Sequence, residues 1–230
     1  MLRARTKIDI FPADATIFPS PGKVFIGISL NNKTMQSVSL LGTIFDWTMQ
    51  NVGTFDLLIG DYLNRYNYEA FEGEAKRDAI EKARRAGDEA RKRLAPLTSS
   101  PSPFASAKLI STAELCRRPS FEARREHFRQ HYTDNADFRA VIQEGVDAFL
   151  TRRHPEALSD ARVRDYCVEY QLEELVMFEQ LAQEGYGVFV YPGAQLPIMK
   201  SLVTKLFGDV SPDLQRLVLV EMRIFEDEVL

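Results

Sequence analysis

The chain has 230 residues, of which 45% are hydrophobic and 27% charged, and a formal net charge of −4. That length buries a full core in one α/β domain, and the composition excludes a coiled coil, a collagen-like repeat or a wholly disordered chain. The negative sign means that any contact with nucleic acid comes from a local basic patch, because the protein as a whole repels polyphosphate.

Elements follow in chain order. A turn at Pro19-Ser20-Pro21-Gly22 leads into a strand, Val24-Phe25-Ile26-Gly27-Ile28-Ser29, whose unbroken apolar run predicts a central strand covered on both faces. A helical pattern spans about Met35 to Gln50 and a second apolar strand covers Phe55 to Gly60, which completes a βαβ unit. One long helix is expected from Tyr68 to Leu94, stopped by Pro96, with a surface loop at about 96–106. Ala107 to Ser111 reads as a third strand, and Ser120 to Ala182 as helix with breaks near Asp134 and His154-Pro155. Gly185-Tyr186-Gly187 opens a strand ending at Tyr191, a helix runs from Leu196 to Phe207, and Leu217 to Phe225 has strand composition. Strands alternating with helices predict one Rossmann-like α/β domain with a mostly parallel sheet flanked by helices. Its ligands then sit at the strands' carboxyl ends, near Ser29, Asp61 and Tyr191.

Familiar chemistries lack their signatures. Neither G-x-G-x-x-G after a strand nor G-x-x-x-x-G-K-[ST] occurs. Met199-Lys200-Ser201 matches part of an ATP-handling loop but lies in a helical pattern, where three common residues carry little information. Gly27-Ile28-Ser29-Leu30-Asn31 starts like a hydrolase nucleophile elbow, yet Asn31 replaces the second glycine and no late histidine follows. His127 and His131 share a helix face without a third ligand, so no metal is expected. Cys116 and Cys167 have neither C-x-x-C nor zinc spacing, which suits a reducing compartment. The apolar runs stop short of the roughly 18 residues that cross a bilayer, and Met1-Leu2-Arg3-Ala4-Arg5 leads into polar sequence. A cytoplasmic protein with no membrane contact follows.

Three short pieces carry chemistry. Ser29 ends a buried strand, where the sheet fixes its backbone while the hydroxyl faces the crevice, as a nucleophile requires. Tyr170 and Glu174, four apart in a helix, stand one turn apart on one face and could together hold an amine. Tyr191-Pro192 ends a late strand at the same sheet edge. A separate signal lies on the long helix, where Ala79, Ala83, Ala86 and Ala90 form one stripe. Arg77, Arg84, Arg85, Arg91 and Lys92 lie opposite, with Asp78, Glu81, Asp88 and Glu89 interspersed.

In this order and spacing, Gly27-Ile28-Ser29, Tyr170-x-x-x-Glu174 and Tyr191-Pro192 resemble the motifs of the tRNA-dependent cyclodipeptide synthases, from about Val24 to the C-terminus. The resemblance implies a fold like the catalytic domain of class I tyrosyl- and tryptophanyl-tRNA synthetases. It implies two aminoacyl-tRNAs joined into a diketopiperazine by a ping-pong route through an aminoacyl-serine at Ser29, as an aminoacyltransferase of secondary metabolism with no cofactor. Tyr170 and Glu174 are then the amine-holding pair, Tyr191 an aid to ring closure and Asn32 a hydrogen-bonding group. Phe25, Gly27, Met177 and Phe189 line the first aminoacyl pocket, and the basic helix holds the tRNA acceptor arm. Asn32 goes with one branch of the family and Tyr191-Pro192 with the other, and Tyr166 stands one turn before Tyr170. Asp61 and Glu173 could bring a carboxylate to a pocket, so an arginyl substrate is an expectation beside two apolar ones. A serine hydrolase or acyltransferase on a small ester, or a non-catalytic RNA-binding protein, are the competing readings. A monomer is expected.

Overall fold

A computed structural model describes residues 4–13 and 22–226. Most of the anticipated turn, Pro19 to Pro21, lies outside the described residues. Six strands form one sheet in the order β1-β6-β5-β2-β3-β4: β1 Ala4–Phe11, β2 Lys23–Ile28, β3 Phe55–Ile59, β4 Leu109–Ser111, β5 Tyr186–Tyr191 and β6 Val218–Glu226. All neighbours are parallel except β1 and β6, which pair antiparallel from Ala4 with Glu226 to Phe11 with Leu219. The helices are α1 Val38–Asn51, α2 Arg65–Phe71, α3 Lys76–Thr98, α4 Thr112–Cys116, α5 Phe121–Asp134, α6 Ala136–Arg153, α7 Ala161–Gln183 and α8 Pro197–Val203.

Strand β2 sits mid-sheet, and its side chains feed two cores, as its apolar run requires. Phe25 joins Leu172, Val176, Met177 and Phe189 on one face, while Val24, Ile26 and Ile28 join Leu41, Ile44, Phe45 and Leu57 on the other. Burying each such side chain is worth roughly 1.5–3 kcal/mol, so the two apolar faces of β2 fix its place. Helix α7 covers the first core and starts at Asp160, whose side chain accepts from the Val163 amide, a cap worth about 1 kcal/mol.

Several expectations need correction. The single helix from Tyr68 to Leu94 is two, α2 and α3, separated where Gly73 takes φ +70, a left-handed conformation that ends a helix cheaply only at glycine. Helix α3 then runs past Pro96 to Thr98, because Pro96 lies exposed in its last turn. The expected first helix splits into a 3-10 turn, Lys33–Gln36, and α1, which is capped by Ser37 through the Leu40 amide. Helix α8 ends at Val203, before Lys205 at φ 62. Strand β1 and the short α4 were not anticipated, although Ile8 and Ile10 alternate with Lys7 and Asp9 as in a half-buried strand. The breaks near Asp134 and His154-Pro155 fall where α5, α6 and α7 meet.

Candidate active site

The carboxyl ends of β2 and β5 bring the chemistry-bearing residues together. Ser29 follows β2 directly and is half-buried, with its amide donating to the Met35 thioether sulfur at 2.8 Å. The loop after it is held from both sides. The Asn31 amide donates to Asn64 at 2.8 Å and the Asn32 amide to the Pro192 carbonyl at 3.0 Å. Across β2, the Tyr191 hydroxyl lies near the side chains of Ser29 and Asn32. Glycine is needed at position 27, since a Cβ there would stand 2.9 Å from Phe189 Cε2 and 3.3 Å from Tyr191 Cδ2. Burial raises the Tyr191 phenol above its ordinary range, and the nearby Asn32 and Ser29 side chains offset part of that rise.

Helix α7 presents Tyr170 and Glu174 to the same crevice. Neither the Tyr170 hydroxyl nor the Glu174 carboxylate has a hydrogen-bond partner among the described residues. Burial pushes Glu174 up to about 8, and it lifts Tyr170 well above the usual phenol range with further help from the Glu174 and Tyr191 charges. A neutral carboxyl, two phenols, a carboxamide and a serine hydroxyl thus share one pocket edge. Such a set has the chemistry that holding an amine and taking a proton from it requires.

Phe25, Met177 and Phe189 are buried beneath this edge, Phe25 and Phe189 stacking with centroids 4.6 Å apart. Asp61 and Glu173 are also buried, but they are not available to a substrate. Asp61 accepts from Ser111 at 2.7 Å, Thr112 at 2.8 Å, the Tyr62 amide at 2.9 Å and Arg91 at 2.6 Å. Those bonds outweigh burial and hold its carboxyl below the usual carboxylate range. Helix α3 comes close enough for this because of Gly87, where a Cβ would stand 2.5 Å from Asp61 Cβ. Glu173 accepts from Arg65 at 2.7 and 2.8 Å and from the Tyr66 hydroxyl at 2.8 Å, and Arg125 approaches to 3.3 Å. Arg65 in turn lies over the Tyr62 and Tyr66 rings, 3.9 and 4.0 Å from their centroids. The expected carboxylate for a substrate guanidinium is therefore taken by the chain's own arginines.

The small-residue stripe of α3 packs inward at Ala79, Ala83, Gly87 and Ala90. Arg77, Arg84, Arg85 and Lys92 are exposed and paired with Asp78, Asp88, Glu81 and Glu89. Exposed pairs of this kind contribute little to stability, so they exchange readily for phosphate. Arg91 differs, being tied to buried Asp61. Lys200 of the Met199-Lys200-Ser201 stretch pairs with buried Glu221, and His127 Nε2 lies 2.9 Å from the Val210 carbonyl. Sequence reasoning missed Asn31, Asn64, Arg65 and Met35; the Asn31-Asn32 pair directly after the strand was the available signal.

A family model for cyclodipeptide synthase matches residues 13–219. The chain belongs to the cyclodipeptide synthase family. It is an enzyme of aminoacyl transfer. Among solved structures it is similar to a cyclodipeptide synthase of Fluoribacter dumoffii, at 17% identity and TM-score 0.82, covering 98% of this chain and 100% of that one. A cyclodipeptide synthetase of Mycobacterium tuberculosis, described as related to type I tRNA synthetases, is 20% identical at TM-score 0.67, over 92% of this chain and 88% of that one. A synthase of Candidatus Glomeribacter gigasporarum bound to Phe-tRNAPhe is 16% identical at TM-score 0.59, over 90% of this chain and 89% of that one. No curated protein matches the sequence. Among the described residues no helix is long and apolar enough to cross a membrane.

Proposed function

We propose that this cyclodipeptide synthase joins two aminoacyl groups from aminoacyl-tRNAs by a ping-pong route through an ester on Ser29. The observation that carries the reading is the gathering of Ser29, Asn32 and Tyr191 at the edge where, among the described residues, Tyr170 and Glu174 have no hydrogen-bond partner of their own. The Ser29 hydroxyl attacks the ester carbonyl of the first aminoacyl-tRNA, the tRNA hydroxyl leaves with a proton, and the aminoacyl group stays on Ser29. Its ammonium docks at Glu174 and Tyr170. A positive charge there favours the ionised carboxylate, and a proton passing to Glu174 leaves the neutral amine that nucleophilic attack requires. That amine attacks the second aminoacyl ester and a second tRNA hydroxyl leaves. The new terminal amine then closes the ring on the serine ester and returns the proton to Ser29, with Tyr191 as its hydrogen-bonded carrier. Asn32 donates to the developing oxyanion.

Phe25, Met177 and Phe189 suit an apolar or aromatic side chain in the first pocket. With Asp61 and Glu173 both paired internally, neither of the carboxylates expected for an arginyl substrate is free to recognise it. The exposed cations of α3, Arg77, Arg84, Arg85 and Lys92, are the contacts we assign to the tRNA backbone.

The test feeds the purified protein with individually charged tRNAs and reads products by mass spectrometry. Diketopiperazine and a serine-linked aminoacyl group on acid quenching are expected. Ser29→Ala abolishes both while melting as wild type, because the hydroxyl's hydrogen bond contributes only about 1 kcal/mol. Wild-type product from folded Ser29→Ala would overturn the covalent route.

A further inference from the structure

Away from Ser29, a cavity of about 560 Å³ opens between α2, the start of α3, α5 and α7. Glu69 lines it and is only 4% exposed, yet its carboxylate has no hydrogen-bond partner among the described residues. Arg65, Lys76 and Arg162 attract it from a distance, while burial raises its pKa. A group entering the cavity therefore meets an acceptor that the described residues leave unengaged. The opposite wall offers donors. Ala75 caps α3, so no side chain accepts from the first-turn amides of that 23-residue helix, and Lys76 beside them makes no ion pair. Arg162 reaches the same space, donating to the Glu69 carbonyl at 2.8 Å and lying 5.5 Å from the Tyr166 ring centroid. The other acids on the wall form no ion pair with Lys76 or Arg162 among the described residues: Glu169 is taken by Arg125 and Arg129, Glu74 pairs with Lys82, and Asp165 makes no ion pair.

An anion subsite, an acceptor in need of a donor and an aromatic face together match one nucleotide. We propose that this cavity holds a single nucleotide of the bound tRNA, its phosphate at the start of α3 between Lys76 and Arg162, a ribose hydroxyl or base amino group on Glu69, and its base against Tyr166. The assignment rests on the aminoacyl-tRNA reading above and extends the basic face of α3 past its first turn into a defined pocket.

The experiment measures affinity of the full chain for a substrate aminoacyl-tRNA by filter binding across a salt series. The double variant Lys76→Glu, Arg162→Glu is expected to bind at least about tenfold more weakly with a salt slope smaller by about one to two units. Glu69→Gln is expected to bind several-fold more weakly at an unchanged slope, because a hydroxyl contact releases no counterions. Should Glu69→Gln misfold, Glu69→Asp, which withdraws the carboxylate by one methylene, takes its place. Wild-type affinity in either arm overturns the pocket, and so does tight binding of free 5′-AMP without tRNA, which would mark a site for a free nucleotide. A protein that yields no cyclodipeptide from any aminoacyl-tRNA fails the function itself; product formation with unaltered binding in the variants fails only the pocket.

Discussion

Glu173 and Glu174 are neighbours on α7, and a rotation of about 100° gives them opposite fates. Glu173, 2% exposed, is clasped by Arg65, Tyr66 and Arg125 and ties α2 and α5 to α7. Glu174 faces the crevice beside Tyr170 with no hydrogen-bond donor, and burial carries it to about 8. The first carboxylate is satisfied by its own chain; the second has no such partner among the described residues and is the one our proposal gives to the substrate amine. Incomplete satisfaction, more than residue type, marks where a substrate belongs.

The largest contrast comes from removing each charge. Glu174→Gln is expected to lower kcat by about 10²- to 10⁴-fold in single-turnover assays, the usual loss for a general base. In the wild type kcat/KM, which reports the free enzyme, rises with pH through about 8 as Glu174 ionises; in Glu174→Gln that limb disappears. Stability moves the other way. A carboxyl whose pKa is raised from 4.5 to about 8 on folding makes the wild type lose stability as pH climbs between those values. Glu174→Gln should therefore melt above the wild type at pH 9 and near it at pH 4, which calorimetry checks.

Glu173→Ala is expected to destabilise by about 3–5 kcal/mol, because it leaves Arg65 buried without its partner. A urea titration reads this, and a cost under about 1 kcal/mol would erase the contrast between the two glutamates. A smaller effect, about 1–3 kcal/mol, is expected for Gly27→Ala, whose new methyl meets the Phe189 ring; the product spectrum should shift with it if that ring lines a pocket. Smallest are the cations of α3. Arg84→Glu should leave melting nearly unchanged and lower the tRNA salt slope by about one unit, whereas Arg91→Ala costs stability through Asp61.

How much of this the sequence discloses varies with the range of the interactions. β2, β3 and β5 are legible because unbroken apolar runs announce strands buried on both faces. Ser29, Tyr170, Glu174 and Tyr191 are legible as spaced motifs at strand ends and on one helix face. The roles of Asp61 and Glu173 are not, because Arg91 and Arg65 lie 30 and 108 residues from them in sequence and only the folded chain joins them. The division between α2 and α3 is masked in the sequence by strong helix formers on either side, and only the left-handed turn at Gly73 marks it. In β1 the apolar alternation is short and sits beside charges, so its pairing with a distant strand was invisible.

That pairing has a consequence for biosynthesis. β6 lies between β1 and β5, so β1 meets its partner only when residues near 220 have emerged. At ribosomal rates of about 5–20 residues per second, β1 waits roughly 10–40 s as an unpaired strand, and unpaired strands invite pairing with other chains. Lys7 and Asp9, alternating with Ile8 and Ile10, put charge along that waiting strand and guard it until the sheet closes.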